Sequence, residues 1–94
     1  MAEEFNPVAS LESASAADVL SWCVMLMLHQ ARVYLGLIPG KTQVDLQQAR
    51  LAIDAAGALT DLLQNHLQGD RLTELLMHVA DVRLNYLEAS RRQS

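Results

Sequence analysis

The sequence is short of nearly everything that would fix a small domain by covalent or metal chemistry. It has a single cysteine, Cys23. An internal disulfide is therefore impossible, and nothing points to an oxidising compartment. Cys23 sits in an apolar run, where a buried structural thiol is the expected role. There are two prolines and four glycines in 94 residues, so long helices can run unbroken. Bases are scarce as well: seven Lys and Arg against eleven Asp and Glu. The two adjacent ones, Arg91 and Arg92, stand at the C-terminal end, and no basic face for nucleic acid is visible. The uninterrupted apolar run, Trp22 to Leu28, is far short of the roughly 20 residues that span a bilayer. The acidic start, Glu3 and Glu4, is unlike the basic beginning of a signal peptide. These features lead to the expectation of a cytoplasmic protein.

The charge that is present is unevenly placed. Glu3, Glu4, Glu12 and Asp18 precede every base, which leaves seven acids and seven bases from Val19 onward. Met1 to Ser15 is expected to be a flexible acidic tail, with a single helical domain over 16–90 and a frayed end over 91–94. Phe5, Val8 and Leu11, spaced by three, offer the alternative that the tail docks on a helix.

Val19 to Leu37, VLSWCVMLMLHQARVYLGL, is the most apolar stretch. A helix is expected from about Ala16 to Leu35, with Ser15 as its cap and Asp18 favoured by the helix dipole. Its polar residues Asp18, Ser21, His29 and Arg32 share one narrow stripe, and almost all the rest of the circumference is apolar. An ordinary surface helix has a wide polar face, so this one needs neighbours on two sides. Leu20, Trp22, Cys23, Leu26, Met27, Val33 and Tyr34 are the candidate self-association surface. Gly36 suits the left-handed residue that ends a helix, and Pro39 prevents continuation. Leu37 and Ile38 are expected to plug the end of the core.

A second helix is expected from Asp45, a good cap with Gln48 at the capping-box position. Its polar stripe holds Gln47, Arg50, Asp54, Gly57, Asp61, Gln64 and Gln68, and Ala49, Ala52, Ile53, Ala56, Leu59 and Leu63 lie opposite. The second break is expected between Asn65 and Asp70: Gly69 and Asp70 read as a C-terminal glycine followed by a new cap, with Asn65 as the alternative. A third helix is expected over about Arg71 to Ser90, apolar through Leu72, Leu76, Val79, Tyr86 and Leu87. Arg83 interrupts that apolar side, and either an acid such as Asp54 or a route to water should accommodate it.

Leu35-Gly36-Leu37-Ile38-Pro39, Val44-Asp45-Leu46 with Ala49, Ile53 and Asp54, and Val82-Arg83-Leu84-Asn85-Tyr86 resemble, in order and spacing, the small bacterial domain-of-unknown-function family 1844. The likeness covers roughly Val19 to Leu87. It departs at Gln64 to Asp70, where the family carries a lysine- and glutamate-rich turn. The resemblance implies an α-helical domain and supplies no activity, substrate or catalytic residue.

Catalytic and metal signatures are sparse. Glu74, His78 and Asp81 share a helix face, yet they lie on its charged stripe and match no metal-ligand pattern. His29 with Arg32 fits the rim of an interface. No phosphate loop, dinucleotide fingerprint or nucleophile elbow is present. The expectation is an all-α, three-helix arrangement, a helical hairpin plus a third helix, completed into a larger bundle by self-association. It would be a non-enzymatic interaction module without a cofactor, most simply a homodimer, with no nucleic acid partner and no stable membrane insertion. The alternative is a module that binds an apolar ligand or a partner's amphipathic helix, since the methionines can repack around either.

Overall fold

The computed structural model describes residues 7–93. Four α-helices follow one another: α1 (Pro7–Ser13), α2 (Ala16–Tyr34), α3 (Leu46–Leu62) and α4 (Gly69–Gln93), with a short 3-10 turn at Leu63–Asn65 between the last two. The long helices α2, α3 and α4 are packed against one another, with no strand among the described residues. The chain is all-α with the expected three-helix core. The short helix α1 lies where a tail without regular structure was expected, and its Leu11 is exposed. Glu3, Glu4 and the side chains of Phe5 and Val8 lie outside what is described.

Helix α2 begins where its cap dictates. The Ser15 hydroxyl accepts from the Asp18 backbone N–H at 3.1 Å, satisfying one of the donors left open at a helix start. It ends in a full Schellman closure. Gly36 has φ +73°, its N–H donates to the Val33 carbonyl, and the Leu37 N–H donates to the Arg32 carbonyl. The chain then returns through a one-bridge turn at Ile38 and Lys41. Leu35, not Leu37, closes the core here. Leu35 is buried and Leu37 is exposed, because the left-handed glycine swings the following residue outward.

Asp45 opens α3, its carboxylate accepting from the Gln48 N–H at 3.1 Å. Its own N–H donates to the Tyr34 carbonyl at 2.8 Å and clasps the hairpin. Ala49, Ala52, Ile53, Ala56 and Leu63 are buried as the periodicity implies, against Val24, Leu28 and Ala31 of α2. Two buried hydroxyls are satisfied within their own helices, Ser21 by the Ala17 carbonyl and Thr60 by that of Ala56.

Gly69 departs from expectation. It is the first residue of α4 and does not take positive φ; the 3-10 turn has already broken the chain. Helix α4 continues to Gln93, past the expected end at Ser90. It also presents a different face. Leu75, Val79 and Val82 are buried, while Leu76 and Leu87 are exposed. The apolar arc of α4 is wider than the groove between α2 and α3, so only its middle fits.

The result is a thin slab, 46 × 37 × 19 Å. Its radius of gyration is 14.9 Å, against about 12 Å for a compact domain of this length. The accessible surface of 6858 Å² exceeds the roughly 5400 Å² expected for this mass. Helix α4 covers one side of the α2–α3 hairpin, and the other side is open.

Candidate functional site

Two surfaces are built from residues singled out in the sequence. The first is the open side of the hairpin. On α2, Leu26 is 63% exposed. Cys23, Met27 and Tyr34 flank it half-buried. Cys23 is therefore half-buried and not enclosed in the core as expected. Leu20 leans inward onto the core cluster, as do Met27 and Tyr34 at their inner edges. Trp22 and Val33 diverge from the rest. Val33 borders the loop over residues 40–45, and Trp22 turns toward α4.

Helix α3 adds a stripe to this face that its polar reading concealed. Leu51 and Leu62 are 65% and 64% exposed, with Ala55 and Ala58 between them. The spacing of four, three and four residues puts all four on one side of the helix, and that regularity is present in the sequence. Met27, Gln30 and Tyr34 of α2 meet Gln48, Leu51 and Ala52 of α3 in a shallow groove of about 200 Å³. The open face thus spans two helices. Its polar members are amides and it carries no charge near its centre.

Trp22 and Met25 join Ser21, Arg71, Glu74 and His78 in a cleft between α2 and α4. Arg71 is engaged at its rim, donating to the Asp18 carboxylate at 3.2 Å. That hydrogen bond, followed by those from Ser15, holds the Asp18 carboxyl below its ordinary value of 3.8. The contact links the start of α2 to the start of α4, 53 residues apart, and no sequence period announces it. Among the described residues no group of three His, Cys, Asp or Glu side chains is placed to hold a metal.

The second surface lies between α3 and α4. Arg50, Ile53, Asp54, Arg83, Tyr86 and Leu87 line a cleft of about 280 Å³. Four of them, Ile53, Asp54, Arg83 and Tyr86, come from the segments that carried the family resemblance. Of the two readings of Arg83, the route to water holds: the residue is exposed and forms no ion pair with Asp54. Asp54 faces Arg50 one turn before it, at 3.8 Å, and the Arg83 head lies over Gly57 of α3. Gly57 falls on the polar stripe by spacing, yet it is buried, because the arginine covers it.

A family model described as "Domain of unknown function (DUF1844)" matches residues 16–88. The chain matches no curated protein and no solved structure. The matched span begins with α2 and takes in α3 and nearly all of α4, and so contains both surfaces. No helix among the described residues is long and apolar enough to cross a membrane.

Proposed function

The chain belongs to the DUF1844 family, and from that premise we propose that it is a non-enzymatic cytoplasmic module that self-associates through the open side of its α2–α3 hairpin, most simply as a homodimer. One observation supports the reading. Leu26 of α2 and Leu51 and Leu62 of α3 are each more than three-fifths exposed, and an uncharged groove lined by Met27, Gln30, Tyr34, Gln48, Leu51 and Ala52 joins the two helices. A monomer gains nothing from leaving such leucines in water. Each would contribute about 1.5–3 kcal/mol on full burial. A helix the length of α2 and its neighbour present a face about 28 Å long and about 20 Å wide. That is of the order of the roughly 800 Å² each partner gives to a stable interface.

A second copy fits better than an unrelated partner because the face is self-complementary in character: apolar along both helices, with amides and no lone charge to match. Two such slabs, apposed about a two-fold axis, would form a six-helix bundle with α4 on each outer side. The exposed apolar strip on α4, Met77, Leu84 and Leu87, is one helix wide and is bordered by Arg83 on one side and Asp81 and Glu88 on the other. It lacks the width of the hairpin face.

Molar mass by light scattering behind size exclusion, over a dilution series, tests the reading. The expected result is a dimer that Leu26→Asp or Met27→Asp converts to monomer and Leu84→Asp leaves intact. A wild-type monomer at micromolar concentration would overturn it. The groove at Met27, Tyr34 and Leu51 would then be the place to seek a partner's amphipathic helix or an apolar ligand.

A further inference from the structure

The α3–α4 cleft combines a seated cation with an apolar floor. Arg83 departs from a helix face that is otherwise hydrophobic, and a guanidinium in that position needs an acceptor or water. The fold provides a seat over Gly57 and no protein acceptor, and the exposed Arg83 is left to water. A Cβ built on Gly57 would come within 2.5 Å of an Nη of Arg83, so the missing side chain is what admits the head. Among the described residues no carboxylate lies within ion-pair distance of Arg83. Asp54 is occupied by Arg50. The cleft therefore holds two guanidiniums against one carboxylate, a net charge of plus one. Buried Ile53 and half-buried Tyr86 form its apolar side.

We propose that this cleft binds a carboxylate carried on a short apolar body. The carboxylate meets Arg83, with the Tyr86 hydroxyl as a second donor, and the apolar part lies on Ile53 and Leu87. Charge selects the class: one net positive charge balances a monoanion, and the Asp54 carboxylate in the wall repels a phosphate dianion more strongly. A planar guanidinium also matches the carboxylate fork. Volume selects the size. At about 280 Å³ the cleft falls just below the roughly 300–1000 Å³ of sites for drug-sized ligands and cofactors, and suits a group of a few carbons. A free organic acid and the C-terminal residue of a partner's chain share this chemistry. The site is distinct from the hairpin face and does not depend on self-association.

The test is titration of the isotopically labelled full chain, followed by amide resonances, with four probes. These are hexanoate, hexanamide, acetyl-Ala-Leu as the free acid, and the same dipeptide as its amide. The acids are expected to give saturable shifts centred on Ile53, Asp54, Arg83 and Tyr86, and the amides none there. Tighter binding of hexanoate identifies a small acid as the ligand, and tighter binding of the dipeptide acid identifies a chain end. Arg83→Gln should weaken binding about tenfold, the ordinary size of one lost charge-assisted hydrogen bond. Gly57→Ala, which removes no group from the cleft but displaces the arginine head, should weaken it too. Asp54→Asn, by releasing Arg50 and removing a repelling charge, should strengthen it. Amides that shift the same resonances as the acids would overturn the proposal. So would unchanged hexanoate affinity in both Arg83→Gln and Asp54→Asn.

Discussion

Leu26 and Leu28 show how little a residue's own chemistry decides. Both are leucines in the same turn of α2, yet Leu28 is fully buried and Leu26 mostly exposed. Leu28→Ala is expected to cost about 2–5 kcal/mol in urea denaturation, the range for an aliphatic side chain deleted from a closed core. Leu26→Ala should cost the isolated monomer well under that. Asp18 is a residue-scale case in which pH is the lever. Its carboxyl is held down chiefly by the hydrogen bond from Arg71. A depressed acid stabilises the fold above its unfolded pKa, and that contribution is lost as pH falls through the folded one. The Asp18→Asn variant should therefore be less stable than wild type at neutral pH. The gap between their denaturation midpoints should close as pH falls below about 3.8, the ordinary value. A gap that persists in acid would show that the carboxylate charge is not its source. The effect should be modest, since the pair is exposed and screened.

At the scale of elements, the two glycines that punctuate the helices have opposite consequences. Gly36 holds φ +73°, and a Cβ there would stand 3.1 Å from the Thr42 carbonyl oxygen. Gly36→Ala should cost about 1–2 kcal/mol, the penalty for an ordinary residue in the left-handed region. Gly69 opens α4 with no positive φ and open space where a Cβ would go. Gly69→Ala should stabilise by about 0.4–1 kcal/mol through the unfolded state. Thermal denaturation of the two variants side by side checks both signs. The elements themselves follow from ordinary signals. Ser15 and Asp45 cap their helices as their spacing to Asp18 and Gln48 implies, and the alanine stripe of α3 lets the hairpin close tightly on Val24 and Ala31. What the pattern missed on these elements was rotation. The apolar arcs of α2 and α4 are wider than any one neighbour covers, so periodicity could not say that Leu75 and Val82 would be inside and Leu76 and Leu87 outside.

At the scale of the whole molecule, a slab 19 Å thick is what one hairpin with one covering helix makes. Such a layer has a core on a single side, and the hairpin's other side is available to a second copy. Cys23 gives this a direct readout. Half-buried one turn before Leu26, it should be alkylated slowly in an assembled wild-type protein and faster in Leu26→Asp. Equal rates, with the wild type at concentrations where light scattering shows a dimer, would place the interface elsewhere.

The sequence by itself determined the helical class, three long helices to within a few residues of their ends, the N-caps of α2 and α3 but not that of α4, the left-handed Gly36 and the excess of apolar surface on α2. These are local properties, set by side-chain spacing of three and four and by the backbone preferences of Ser, Asp, Gly and Pro. Only the tertiary structure decided what is covered. It brought Leu51 against Met27, Gln30 and Tyr34, turned Trp22 toward α4, and joined Asp18 to Arg71. It also laid Arg83 over Gly57 while leaving Asp54 to Arg50. Each of those outcomes depends on how one helix is rotated against another across a long stretch of chain. That rotation is fixed by the summed fit of the core, to which no single spacing in the sequence corresponds.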